Sequence, residues 1–206
     1  KIRVEERPVN PDANALVSPS DGKVSVYKIH ENGHFLIKHT EYTLEQLLQD
    51  KKLAKRYLDG HIYVIRLTVD DYHRYCYAAD GRKSEQRKIA GILHTVNPVA
   101  NDVCPIYKMN SREYCLIKTE QFGTLLQMEV GALMVGKISN NQQGLGFVHK
   151  GVEKGRFEFG GSTIILLTQK NVVIPDRDLL EHTGSGMETL VKMGEQIRRS
   201  ANRLDA

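Results

Sequence analysis

The stretch FEFGGSTIILL, residues 157–167, contains the pattern that best indicates the fold of this protein. Aromatic and β-branched residues on both sides of the glycine pair favour strands. Two consecutive glycines are unusual inside a strand, where they weaken the pairing and mark a bend, a bulge or a close approach. The stretch therefore predicts two strands separated at Gly160-Gly161, with a hydroxyl residue, Ser162, directly after the break.

Apolar runs of strand length recur along the chain and are separated by clusters of Gly, Asn and Asp. The clearest predicted strands are HIYVIRLTV (61–69), REYCLIKT (112–119), GTLLQMEVGALMVGKI (123–138) and STIILLT (162–168). Shorter strands are predicted near Val24 and Val26 and between Phe35 and Ile37. The tail from Met187 to Leu204 fits either a strand or an amphipathic helix.

One helix is predicted in TLEQLLQDKKLAKRYL, residues 43–58. Thr43 and Gln46 have the spacing of a capping box, and the leucines that follow lie near one face of a helix. Because strands far outnumber helices, the predicted fold class is α+β and β-dominated. We expect an antiparallel sandwich or barrel-like domain with one or two packed helices.

Composition narrows the class of protein. The chain has 206 residues, enough for one domain with a real core, and lacks an apolar run of membrane-spanning length. Three cysteines, Cys76, Cys104 and Cys115, do not form a disulfide framework, so a reducing, cytosolic location is expected. No metal-binding motif is visible. The net charge of +4 is compatible with an anionic membrane surface or a nucleic acid and demands neither. The chain has no basic run with interleaved aromatic residues, so nucleic-acid binding is not expected.

The Gly161-Ser162 pair has two interpretations. In most proteins such a pair forms a bulge or a hairpin turn. The chemical interpretation is that the Ser162 hydroxyl attacks the Gly161 carbonyl, an ester replaces the amide, and elimination cuts the chain. The new N-terminal dehydroalanine then loses ammonia and becomes a pyruvoyl group. Its ketone is an electron sink that requires no imported cofactor.

Five further motifs support the chemical interpretation. They are SPSDGKV (18–24), DDYHRYCYAADG (70–81), HTVNP (94–98), NSREYCLI (110–117) and FGTLLQMEVGALMVGKI (122–138), and they precede EKGRFEFGGST (153–163), which contains the pair itself. In this order and spacing the chain resembles the phosphatidylserine decarboxylases, which are self-cleaving and pyruvoyl-dependent. The resemblance extends from Leu16 to about Leu167.

The resemblance assigns roles to individual residues. It implies one catalytic domain over residues 1–206, cut into a β chain (1–161) ending at Gly161 and an α chain (162–206). Ser162 matches the residue that becomes the pyruvoyl group. Asp21 matches an aspartate that supports self-cleavage, and His73 matches the first histidine of the family's His-Arg-x-His motif, which is linked to decarboxylation.

One position departs from the family's pattern, because Cys76 stands where the second histidine of that motif is expected. That histidine belongs to the base for self-cleavage, so three alternatives follow. His94 supplies the missing imidazole, a Cys76 thiolate acts as the base, or the protein does not process itself. Taken singly, Asp21, His73, Cys76 and His94 each also have an ordinary structural interpretation.

The resemblance implies phosphatidylserine in an anionic membrane surface as the substrate and a peripheral membrane location. It also implies a homodimer as the assembly to test. Two rivals remain. The same chemistry can act on another serine lipid or a free amino acid, or the fold can serve as an uncut, non-catalytic homologue. The chain starts at Lys1 rather than Met, so upstream segments are left open.

Overall fold

A computed structural model describes residues 2, 5–37, 40–91, 106–131, 137–158 and 162–199. The described part is built mainly of antiparallel strands, which confirms the predicted β-dominated α+β class. The strands are β1 Ala15–Val17, β2 Gly22–Lys28, β3 His34–Ile37, β4 Thr40–Thr43, β5 His61–Leu67, β6 Arg74–Cys76, β7 Gly81–Lys83, β8 Arg87–Ile89, β9 Arg112–Lys118, β10 Thr124–Val130, β11 Lys137–Asn140, β12 Gly146–Val148, β13 Glu153–Glu158, β14 Ser162–Thr168, β15 Thr189–Val191 and β16 Gln196–Arg199.

Helices in the described residues are short. They are α1 Leu44–Leu48, α2 Lys51–Ala54, a 3₁₀ turn Lys55–Tyr57, α3 Ile106–Met109 and α4 Arg177–Gly184. This exceeds the predicted one or two helices, because the expected long helix is broken into α1, α2 and the 3₁₀ turn and because α3 and α4 form where no helix was predicted. Thr43 caps α1 by accepting a bond from the Gln46 amide, as the capping pattern predicts. Gln49 then turns left-handed at φ 49°, and Asp50 caps a second helix.

The main sheet has nine strands, in the order β12-β7-β9-β10-β14-β5-β2-β15, with β8 also paired to β9. Its path through the described strands is open, so the sandwich form of the prediction fits better than the barrel form. β14, which the glycine pair precedes, lies between β10 and β5. Seven consecutive apolar or hydroxyl residues in β14 are all buried, as expected for a central strand covered on both faces.

Two hydrophobic clusters lie on the two faces of this sheet. Alternate residues of β5 separate cleanly, with Ile62 and Val64 in one cluster and Tyr63, Ile65 and Leu67 in the other. The first face is covered by the β3–β4 hairpin and helices α1 and α2. The second is covered by α4, the β1–β16 pair and a three-stranded sheet ordered β11-β13-β6. In its described residues, the tail that begins at Met187 forms two strands, β15 and β16, and not a helix.

A buried ion pair joins the main sheet to the three-stranded sheet. Lys154 Nζ on β13 lies 2.5 Å from Glu129 Oε2 on β10, and neither side chain is exposed. Asn140 on β11 bonds both partners, and Gln86 donates to the same Glu129 oxygen. Burial raises the pKa of Glu129, which the nearby ammonium opposes. This cluster fixes how the two sheets stack.

Candidate active site

Ser162 opens β14 near the centre of the main sheet, opposite Leu67 at the end of β5. It is fully buried and, by the alternation along the strand, it shares a face with Ile164 in the second cluster. Its Oγ has no hydrogen-bond partner in the part of the chain that the structure describes. A buried hydroxyl without a partner is costly. Thr163 Oγ1 and Ser20 Oγ are in the same state, so Ser162 is distinguished by its place at the start of a central strand, directly after the glycine pair in the sequence.

Gly160 and Gly161, the predicted break in front of Ser162, lie outside the described residues. His94, the predicted replacement base, lies outside them as well. Of the six candidate residues, the structure therefore describes four, which are Ser162, Asp21, His73 and Cys76.

Asp21 lies at the same end of the main sheet as Ser162. It directly precedes β2, whose Lys23 pairs with Arg66, the residue before Leu67. Gly22 makes this approach possible, because a Cβ there would lie 2.6 Å from the Arg66 carbonyl oxygen. Strands are spaced about 4.8 Å apart, so the Asp21 and Ser162 backbones are separated by roughly 10 Å.

The Asp21 carboxylate makes its described bonds to residues other than Ser162. Arg7 donates to both of its oxygens, with 2.7 Å between Arg7 Nη2 and Asp21 Oδ2. The Met193 amide donates to Oδ1 at 3.0 Å. Any effect of Asp21 on the bond before Ser162 therefore acts through the arrangement of these segments or through a group between them.

His73 lies beside the strand that leads to the glycine pair. Its carbonyl accepts a bond from the Phe157 amide at 2.9 Å, and β6, which begins at the next residue, pairs with β13. Tyr75 and Phe157 pack ring against ring with centroids 4.8 Å apart. Gly155 makes room for this packing, because a Cβ there would lie 2.7 Å from the Tyr75 hydroxyl. The His73 backbone is thus held against the strand that leads to the predicted cleavage point, and its side chain is half-buried.

Cys76 is buried between the main sheet and the turn that carries Asp21. Its amide donates to the Pro19 carbonyl at 2.8 Å, and its carbonyl accepts from the Gln127 side chain at 2.9 Å. Burial raises the pKa of the Cys76 thiol to about 12. The thiol is therefore neutral near pH 7, which weighs against the thiolate as the base for self-cleavage.

Three contacts at this end of the sheet had no signal in the sequence. Arg7 stands in a polar lead-in, Tyr72 had no assigned role, and the Met193 amide belongs to the ambiguous tail. Arg7 and the Met193 amide reach Asp21 only after the chain folds, and the Tyr72 ring, next to His73 in the chain, then contacts the Arg7 guanidinium. No cluster of three or more His, Cys, Asp or Glu side chains within the described ranges has the arrangement of a metal site.

Comparison with known proteins agrees with the arrangement of these motifs. The family model described as phosphatidylserine decarboxylase matches residues 1–199. The phosphatidylserine decarboxylase proenzyme 2 of Clostridium acetobutylicum is 45% identical over 197 residues, covering 96% of this chain and 67% of the relative. The phosphatidylserine decarboxylase proenzyme of Fusobacterium nucleatum is 41% identical over 198 residues, covering 95% and 66%.

A third relative, the phosphatidylserine decarboxylase proenzyme of Clostridium novyi, is 40% identical over 199 residues, covering 96% of this chain and 68% of its own. The matching family model and these relatives thus define the class of protein as a decarboxylase, and the relatives are named as proenzymes. The chain belongs to the phosphatidylserine decarboxylase family. It spans about two thirds of the length of these curated relatives. Across the described residues, no helix combines the length and the hydropathy that crossing a bilayer requires.

Proposed function

We propose that this chain is a phosphatidylserine decarboxylase that forms phosphatidylethanolamine after cutting itself between Gly161 and Ser162. The observation that carries the proposal is the buried, unpartnered Ser162 hydroxyl at the start of a central strand. Membership of the family supports the activity, and the proenzyme names of the relatives support the cut. The products would be the β chain 1–161 and the α chain 162–206.

The residues around Ser162 fit a pyruvoyl group made from that serine. The unpartnered Oγ is free to react, and the backbone of Ser162 is fixed by pairing with Leu67. When formed, the group supplies a ketone that draws electrons away from the bond to the substrate carboxylate. Buried apolar neighbours on the same face, among them Leu67 and Phe157, exclude water. Desolvation favours loss of the carboxylate charge as neutral carbon dioxide.

His73 is our candidate for the acid in the decarboxylation step. Its imidazole would donate a proton to the substrate carbon that has lost carbon dioxide. Support comes from its place beside Phe157, on the strand that leads to Ser162. The His73 side chain is half-buried, which leaves part of it open to solvent protons.

Self-cleavage needs a base for the Ser162 hydroxyl, and we propose His94 for this role. The raised pKa of Cys76 leaves little thiolate to compete with it. The test is His94→Ala, which is expected to leave the chain uncut. If this variant is cut at the normal rate, His94 is not the base.

The mass of the denatured, purified protein tests the self-cleavage directly. Two fragments are expected, one ending at Gly161 and one starting at residue 162. The second should be lighter by one ammonia than a chain starting with serine. Ser162→Ala is expected to stay intact, whereas Ser185→Ala, at an exposed serine of the same predicted fragment, is expected to be cut normally.

A single uncut wild-type chain would contradict the proposal and favour the uncut homologue instead. The buried, neutral thiol of Cys76 at the position of the expected histidine is the observation that keeps this second candidate open. A functional assay then separates the substrates. Formation of phosphatidylethanolamine from phosphatidylserine vesicles supports the proposed substrate, and turnover of free serine alone supports the rival.

The membrane location and the assembly are part of the same proposal. We expect peripheral binding to vesicles that contain phosphatidylserine, because the net charge of +4 favours an anionic surface. Cosedimentation with such vesicles, compared with neutral phosphatidylcholine vesicles, measures this binding. Light scattering of the purified protein tests the expected homodimer.

A further inference from the structure

The lead-in before the first strand holds Asp21 through one residue, Arg7. The guanidinium lies alongside the carboxylate, with 2.7 Å from Nη2 to Oδ2, 3.1 Å from Nε to Oδ1 and 3.2 Å from Nε to Oδ2. Each side chain is only 15% exposed. A planar fork on a carboxylate fixes the orientation of the carboxylate as well as its charge, which a lysine ammonium does not do.

Arg7 also contacts the loop that carries His73. Its Cζ lies 4.0 Å from the centre of the Tyr72 ring, a cation–π contact one residue before His73. The hydrogen bond to Asp21 raises the pKa of Arg7, so its charge is secure. A weaker contact, 3.4 Å to the exposed Glu6 carboxylate, does not compete with this arrangement.

The polar lead-in around Arg7 (residues 5–14, the arm) is held in place by the residues that follow β15. The Asn10 amide donates to the Gly194 carbonyl at 3.0 Å. Gly194 approaches so closely that a Cβ there would lie 2.7 Å from the Pro8 carbonyl oxygen. The adjacent Met193 amide bonds the second oxygen of Asp21. The Arg7–Asp21 pair is therefore the point where the arm, the His73 loop and the predicted short chain meet.

We propose that Arg7 is a positioning residue for self-cleavage, which orients the Asp21 carboxylate and holds the His73 loop against it through Tyr72. The inference rests on the proposed function, in which Asp21 supports the cut before Ser162. Arg7 does not touch the reacting atoms. It acts by keeping one carboxylate, two strands from Ser162, in a single orientation.

The inference predicts that Arg7 and Asp21 act as one unit. Cleavage is followed on the full-length chain by pulse-labelled cell-free translation, counting uncut and cut protein with time. Arg7→Ala is expected to slow cleavage at least tenfold, and Asp21→Asn at least as much. The double variant should be no slower than Asp21→Asn alone, within about twofold, because Arg7 acts through Asp21.

A rescue experiment separates positioning from a loss of folding. Guanidinium ion at tens of millimolar is expected to restore cleavage of Arg7→Ala, whereas ammonium at the same concentration is not. Neither ion should rescue Asp21→Asn. Arg7→Lys is expected to remain slow, since it keeps the charge and loses the fork. Arg177→Ala, at an arginine whose side chain is 92% exposed, is the matched control and should be cut at the wild-type rate.

Each outcome decides the inference. Wild-type cleavage in Arg7→Ala, normal cleavage in Asp21→Asn, or additive losses in the double variant would overturn the role of Arg7 and leave the proposed function standing. Slow cleavage of Arg7→Ala that guanidinium does not restore, with a melting temperature below that of Arg177→Ala, assigns Arg7 to stability alone. A wild-type chain that is never cut overturns the proposed function and this inference together.

Discussion

Two carboxylates in this protein bind a cation at similar distances but in different surroundings. Glu129 lies 2.5 Å from Lys154 with neither side chain exposed, whereas Asp21 lies 2.7 Å from Arg7 with 15% of each exposed. The first pair joins strands of two stacked sheets. The second joins an arm to a turn at the candidate active site. Distance alone therefore does not tell what an ion pair does, and the elements that it connects do.

The largest expected effect comes from breaking the buried pair. Lys154→Ala and Glu129→Ala should each lower the free energy of unfolding by about 3–5 kcal/mol, because each leaves a buried group without its partner. Urea unfolding of the uncut Ser162→Ala background measures this on a single chain. Replacing both residues by apolar ones, Lys154→Met with Glu129→Leu, should cost less than either single change.

The control for this experiment is an exposed pair on neighbouring strands. Lys137 and Glu158 join β11 and β13 at 3.4 Å, with side chains 76% and 31% exposed. Lys137→Ala should change the free energy of unfolding by less than about 1 kcal/mol. If Lys154→Ala costs no more than Lys137→Ala, burial is not what distinguishes the two regions.

A half-buried histidine, without a counter-charge among the described residues, sharpens the comparison. His61 begins β5 at the end away from Ser162, its Nδ1 has no hydrogen-bond partner within the described residues, and burial lowers its pKa to about 4. Between pH 6.5 and 4 the unfolded chain binds a proton at this position that the folded chain does not bind. Stability from this group is therefore lost as the pH falls.

We expect wild type to lose about 1–2 kcal/mol more than His61→Gln when the pH falls from 7 to 5, measured by urea unfolding in the uncut background. The exposed His30 provides the control, because His30→Gln should keep the wild-type pH dependence. An identical pH dependence for wild type and His61→Gln would show that burial does not suppress the charge of His61.

The smallest effect is expected at Cys76. With a pKa of about 12, the thiol is a thiolate in only a very small fraction of molecules at pH 7.5. Cys76→Ser should therefore change the rate of self-cleavage less than about threefold between pH 6.5 and 8.5, because it keeps the size and removes the acidity. Loss of cleavage in this variant, with normal cleavage in His94→Ala, would make Cys76 the base.

Local patterns in the sequence predict several of the longer strands but not the contacts between strands. The predicted strand over residues 123–138 was wrong, because β10 and β11 belong to two different sheets. β14 coincides with the predicted strand STIILLT, because a strand buried on both faces favours a continuous run of apolar and small hydroxyl residues. The predicted helix over residues 43–58 is interrupted at one point, where Asp50 caps a second helix. The spacing of the apolar residues alone predicts a continuous helix. Capping competes with periodicity, and the sequence does not show which prevails.

For the candidate site, too, the sequence predicts some of the residues but not the contacts that folding creates. The resemblance predicts that Asp21, His73 and Ser162 belong to one site. The structure places Asp21 and Ser162 at the same end of the main sheet and His73 beside the strand that leads there. Arg7 was missed because its partner is chosen by a fold that brings together residues 14 positions apart. Lys154 was missed for the same reason, since an isolated lysine in a strand predicts an exposed charge.

The position of β14 determines whether the two fragments would stay associated after the cut. A cut before Ser162 would leave the strand hydrogen-bonded on both sides to β5 and β10, while β15 and β16 stay paired with β2 and β1. The fragments could separate only by dismantling both sheets. The mature protein would be an obligate two-chain complex, persistent while folded, whose recovery after denaturation would depend on protein concentration.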